Sequence, residues 1–63
     1  TASYKLSQAD IFNEIDADKD IISLSKECYI KLDPNDGKWL LHCARGDYYF
    51  KTVEEIIELL TSN

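Results

Sequence analysis

Asp16, Asp18 and Asp20 stand at alternate positions, and Glu27 follows where a calcium loop would place its last ligand. Calcium takes its ligands from oxygen, largely carboxylates, so this spacing could hold one ion. Counting Asp16 as the first loop position puts Asp18 third, Asp20 fifth and Glu27 twelfth. The sixth position needs glycine for a sharp turn and carries Ile21; the eighth is usually apolar and carries Ser23. Beyond Glu27 the run Cys28-Tyr29-Ile30-Lys31-Leu32 alternates as a strand, where a calcium loop would open a helix. The segment reads better as an acidic loop than as a metal site.

The other reactive residues are Cys28, Cys43 and His42, the only histidine. A Cys–His nucleophile pair must share one side of a cleft. His42 and Cys43 are neighbours in a strand pattern and therefore point to opposite faces, which also argues against a shared zinc. No convergent acid, base and nucleophile are present, so no enzyme and no cofactor is expected. The two cysteines read as reduced core residues, with a cross-hairpin disulfide as the alternative. Arg45-Gly46-Asp47 spells an adhesion tripeptide, but a turn role accounts for it.

The elements that position these residues follow from periodicity. Ser7 with Asp10 predicts a helix start, with Leu6 and Ile11 as a hydrophobic staple, and Ile11, Phe12 and Ile15 as its apolar stripe. That helix should stop near Asp16–Asp20, where poor helix formers cluster. From Ile22 the period becomes two, although Lys26 breaks the parity and places a secure strand start only near Glu27. Asp33-Pro34-Asn35-Asp36-Gly37 is a turn, and Trp39, Leu41 and Cys43 resume the alternation. Arg45-Gly46 makes a second turn, and Tyr48 and Phe50 continue it. Thr52-Val53-Glu54-Glu55 is a capping box. It opens a helix with Val53, Ile56, Ile57 and Leu60 on one face.

The expected fold is α+β, in the order α-β-β-β-α. A three-stranded antiparallel meander carries two helices packed on one face, and residues 1–63 form a single small domain. Patterning pairs Leu32 with Trp39, Ile30 with Leu41 and Cys28 with Cys43. A two-residue loop at Arg45-Gly46 then opposes Cys43 with Tyr48 and Leu41 with Phe50. A slip of one residue would mix the faces, whereas a shift of two keeps the faces and changes the partners. In this register Tyr29, His42 and Tyr49 form one row across the outer face, beside Leu40, Lys31 and Lys51.

Element order and length resemble a double-stranded-RNA-binding domain. In that family a lysine-rich start to the second helix holds RNA phosphates; here Lys51-Thr52-Val53-Glu54-Glu55 puts acids there. The run from Tyr48 to Ile57 is similar to the end of a Src-homology-2 domain, whose phosphate-binding arginine has no counterpart in this chain.

Charge limits the partners. The formal charge is −5, with five acids against Lys19 in residues 10–20 and three acids without a base in residues 53–63. Nucleic acid and anionic membranes reward clustered cations, so neither is expected as a direct partner. No apolar run approaches the roughly 18 residues of a membrane span, and no signal-peptide pattern is visible. Two cysteines are too few for a disulfide scaffold, which makes the reducing cytoplasm the default location. The chain opens on Thr1, as a trimmed chain or fragment would.

The sequence therefore predicts a small acidic protein–protein interaction module, an inhibitor or accessory subunit. Its partner surface would be Tyr29, Leu40, His42 and Tyr49, rimmed by Lys31 and Lys51, because aromatic residues with polar tips are enriched at interfaces. The bland alternative is cross-strand pairing that only stabilises the sheet. A second functional reading has acidic helices imitate nucleic-acid phosphates and block a DNA- or RNA-binding protein, through Asp10, Glu14, Asp16, Asp18, Asp20, Glu54, Glu55 and Glu58. Against it stands the ordinary role of such acids as solvated surface. A calcium-binding module is the third reading.

Overall fold

The structure is a computed structural model and describes residues 1–62. It has two helices and one antiparallel sheet, in the order α1 (Ala2–Gln8), β1 (Glu14–Asp16), β2 (Ile21–Ser23), β3 (Tyr29–Leu32), β4 (Trp39–Cys43), β5 (Gly46–Phe50) and α2 (Val53–Thr61). The α+β class is as expected, but the meander has five strands in the order β1-β2-β3-β4-β5 rather than three. The added hairpin also separates this chain from the α-β-β-β-α order of the RNA-binding domains.

The first helix lies earlier than its apolar stripe suggests. Thr1, not Ser7, caps it: the Thr1 hydroxyl accepts the Tyr4 N–H at 3.2 Å. Its end is a Schellman arrangement, with Ile11 N–H donating to the Leu6 carbonyl at 2.9 Å and Asp10 N–H to the Ser7 carbonyl at 3.0 Å. Asp10 sits in the left-handed region at φ 59°, which aspartate tolerates better than most residues. Asn13 ties the following loop back to the helix: its side-chain amide donates to Ser7 Oγ and to the Ile11 carbonyl, both at 3.0 Å. Ile11 and Phe12 thus fall in a loop, and Ile15 in a strand.

D-A-D-K-D is a hairpin tip. β1 and β2 pair Glu14 with Ser23, Ile15 with Ile22 and Asp16 with Ile21. The Asp16 carboxylate accepts the Lys19 N–H at 3.2 Å, and Asp20 turns the chain at φ 57°. The parity break at Lys26 marks another turn, in which Leu24 and Ser25 donate their N–H groups to the Cys28 carbonyl. Ser25 Oγ accepts the Cys28 N–H at 3.2 Å in the same turn.

From β3 onward the faces are those expected. Leu32 pairs with Trp39 and Ile30 with Leu41. The second hairpin is shifted by two residues: Ala44 and Arg45 form the loop, so Cys43 opposes Gly46, Leu41 opposes Tyr48 and Trp39 opposes Phe50. Gly46, at φ 147°, is the residue that suits this first position after the loop.

Helix α2 begins at the expected capping box. The Glu55 N–H donates to Thr52 Oγ1 at 3.3 Å, and Glu55 Oε1 accepts the Thr52 N–H at 3.2 Å and the Lys51 N–H at 2.8 Å. The buried core is Leu6 of α1, Ile30 of β3, Leu41 of β4, and Val53 and Ile56 of α2. Ile22, Trp39, Cys43, Phe50 and Ile57 pack around it. Helices and inward strand residues therefore meet on one side of the sheet. An α1–α2 ion pair, Lys5 Nζ to Glu54 Oε2 at 2.6 Å, spans the covering layer. No described helix is long and apolar enough to cross a membrane.

Candidate functional site

Strand alternation sends Tyr29, Lys31, Leu40, His42, Asp47 and Tyr49 to the face opposite the core. The two-residue shift rearranges them. Tyr49 does not share a row with Tyr29 and His42; it pairs with Leu40, which pairs with Lys31. Asp47 takes the predicted place of Tyr49, giving a row Tyr29–His42–Asp47.

That row is ordered by direct contacts. The Tyr29 and His42 rings stack with centroids 4.8 Å apart and planes inclined by 24°. His42 Nδ1 lies 2.5 Å from Asp47 Oδ1. An ionised carboxylate only accepts, so Nδ1 carries the proton and the imidazole ring is held edge-on to Asp47. The orientation of one exposed ring is thus fixed from both sides, although Asp47 and His42 remain about half exposed.

The second row is more basic. Lys31, Leu40 and Tyr49 border a hollow with Asp33 and Pro34 at the β3–β4 turn. Tyr49 also borders a hollow with Lys38, Lys51 and Glu55 at the start of α2. Beside the first row, Tyr29 and His42 line a further hollow with Ser23, Lys19 and Lys26. Five of the chain's seven cations therefore surround the outer face of a protein whose net charge is −5.

Sequence reasoning missed Asp47, Ser23 and Lys38. Ser23 was hidden because β2 was not recognised as a strand of the sheet. The Arg45-Gly46-Asp47 pattern puts Asp47 in the hairpin tip, and only the true register sets it opposite His42. The signal that could have found it is Gly46: glycine suits the backbone at the first strand residue, leaving Ala44-Arg45 as the loop.

The acidic residues do not form one helical surface. Glu14 and Asp16 lie in β1, Asp18 and Asp20 in the first hairpin tip, and Asp10 at the end of α1. Only Glu54, Glu55 and Glu58 are helical. Of these Glu54 is paired with Lys5, which holds its carboxyl below the usual range by hydrogen bonding, and Glu55 closes the capping box. The strands flanking Asp16–Asp20 leave no helix-loop-helix frame for a calcium loop.

On the core side, apolar residues continue to the turn that joins the end of β4 to the start of β5. Cys28, Leu41, Cys43, Tyr48, Phe50, Leu59 and Leu60 line an open cleft of about 660 Å³ there. The Sγ atoms of Cys28 and Cys43 lie 2.8 Å apart, and both residues are half-buried free thiols. Burial, followed by the neighbouring Cys28 thiol, pushes the Cys43 thiol up to about 11. Compared with models of protein families, with curated proteins and with solved structures, the chain matches none.

Proposed function

We propose that the protein is a non-enzymatic binding module whose outer sheet face takes an acidic segment of a partner protein. The observation that carries the reading is the ordered pair of rows, Tyr29–His42–Asp47 and Lys31–Leu40–Tyr49, on the face that neither helix covers. Tyr29, Tyr49 and Leu40 supply rigid apolar area at low entropic cost. Lys31, Lys38 and Lys51 supply a basic rim, which favours carboxylates on the partner and raises the rate of encounter. The fixed imidazole of His42 adds a directed polar contact in the middle of the surface. Nucleic acid is a poorer occupant than protein, because Asp47 and Asp33 stand among the cations and the chain as a whole repels phosphates.

Selection of displayed random peptides on the protein tests this. Enriched peptides should combine an apolar anchor with flanking Asp or Glu. Their binding should shift the amide resonances of Tyr29, Leu40, His42 and Tyr49, and the double variant Tyr29→Ser, Tyr49→Ser should lose binding at least about tenfold while remaining folded. Peptides without acidic enrichment, or undiminished binding to the double variant, would overturn the reading.

A further inference from the structure

We propose that Cys28 and Cys43 form a thiol–disulfide exchange site that accepts a small disulfide of the glutathione class from solvent. The proposal stands on placement and access, and it is independent of the outer-face reading. Extending the β3–β4 ladder by one step beyond Tyr29 and His42 sets Cys28 opposite Cys43. The Asp33 N–H donates to the Lys38 carbonyl at 2.8 Å, marking a hydrogen-bonded pair. Counting alternate pairs from there puts Cys28 and Cys43 at a non-hydrogen-bonded position. At such positions Cα atoms approach to about 4.5 Å, within the range a disulfide spans. Their sulfurs, 2.8 Å apart, need to close by less than the length of one bond.

Access comes from the core side. Both cysteines line the open cleft under Leu59 and Leu60, and Cys28 also borders the hollow beside Lys19 and Lys26. Cys28, which borders both hollows, makes the first attack. Cys43 is the weaker attacker from solvent, because its thiol holds its proton up to about 11. It is, however, already beside the sulfur it must attack.

The exchange balances in two steps. The Cys28 thiolate attacks one sulfur of glutathione disulfide; the Cys28–glutathione bond forms, the reagent's own disulfide breaks, and one glutathione thiolate leaves. Cys43 gives its proton to solvent and its sulfur attacks Cys28 Sγ, which forms the intramolecular disulfide and releases the second glutathione thiolate. Two protein thiols are oxidised, one reagent disulfide is reduced to two thiols, and the two protons lost by the cysteines appear on the glutathiones.

The test is equilibration of the reduced protein in a buffer of about 1 mM each of reduced and oxidised glutathione, acid quench, alkylation and intact-mass measurement. The expected product is the chain less two hydrogens, monomeric and without glutathione, with neither cysteine alkylated. The Cys43→Ser variant should instead stop with one glutathione on Cys28. Titrated against the ratio of oxidised glutathione to the square of reduced glutathione, the closure constant should be at least about tenfold smaller in strong denaturant, because the unfolded chain no longer holds the sulfurs together. Two alkylatable thiols in the folded protein, retained glutathione, disulfide-linked dimers, or an equal closure constant in denaturant would each overturn the proposal.

Discussion

The two faces of the same sheet are built for different ends. On the inner face Ile30 and Leu41 are buried beneath Leu6, Val53 and Ile56, so each side chain depends on residues from several elements. On the outer face Tyr29, His42 and Asp47 contact one another along a single row, and Tyr49 stays 59% exposed. Apolar area is removed from water on one side and left in water on the other. Stability should therefore be concentrated on the inner face and recognition on the outer one, although residues from both alternate along the same three strands.

The largest expected effect is on the inner face. Ile56→Ala removes a fully buried side chain from the only buried cluster among the described residues, and should cost about 2–5 kcal/mol in thermal or denaturant unfolding. In a chain this small such a loss approaches the whole stability. A cost below about 1 kcal/mol would mean that α2 is not what covers Ile30 and Leu41.

Tyr29→Ser should be much milder. It removes one stacked cross-strand contact, worth about 0.2–1 kcal/mol in unfolding. If it were as damaging as Ile56→Ala, the outer row would be a structural element and the division between the faces would fail.

The smallest effect concerns the cover itself. The Lys5 ammonium hydrogen-bonds Glu54 and lowers its carboxyl pKa below the ordinary 4.5. A lowered folded pKa contributes stability above the unfolded value, which is lost as pH falls through the folded one. The wild-type melting temperature should thus decline slightly more than that of Glu54→Gln as pH drops from about 5 towards 3. Because the pair is exposed, this difference should be the least of the three and should shrink with added salt. Parallel acid profiles for the two proteins would remove the ion pair from the account of how α1 and α2 are joined.

The register error on the outer face shows why a surface can be half legible. The alternation of Trp39, Leu41, Cys43, Tyr48 and Phe50 identifies the inner face whichever residues form the second loop. A displacement of two residues conserves that parity, so Tyr49 could be assigned to the correct face yet to the wrong row. What Asp47 does to His42 depends on that displacement alone.

At the N-terminus the ambiguity is of another kind. Ile11, Phe12 and Ile15 satisfy a helical spacing by number, while the chain between them is a loop and a strand. Strands of three residues such as β1 and β2 offer too few alternating positions to outweigh that pattern.

What the sequence determined by itself was local or periodic: the capping box at Thr52 and Glu55, the turn at Asp33–Gly37, and the inner and outer parity of β3, β4 and β5. Each rests on residues within a few positions of one another, whose steric and hydrogen-bonding preferences act before any distant contact forms. Only the tertiary structure decided that α1 ends at a left-handed Asp10, that Asp16–Asp20 joins two strands, and that His42 faces Asp47. Those outcomes are selected by which arrangement lets Leu6, Ile30, Leu41, Val53 and Ile56 share one dry cluster, a condition that links positions fifty residues apart.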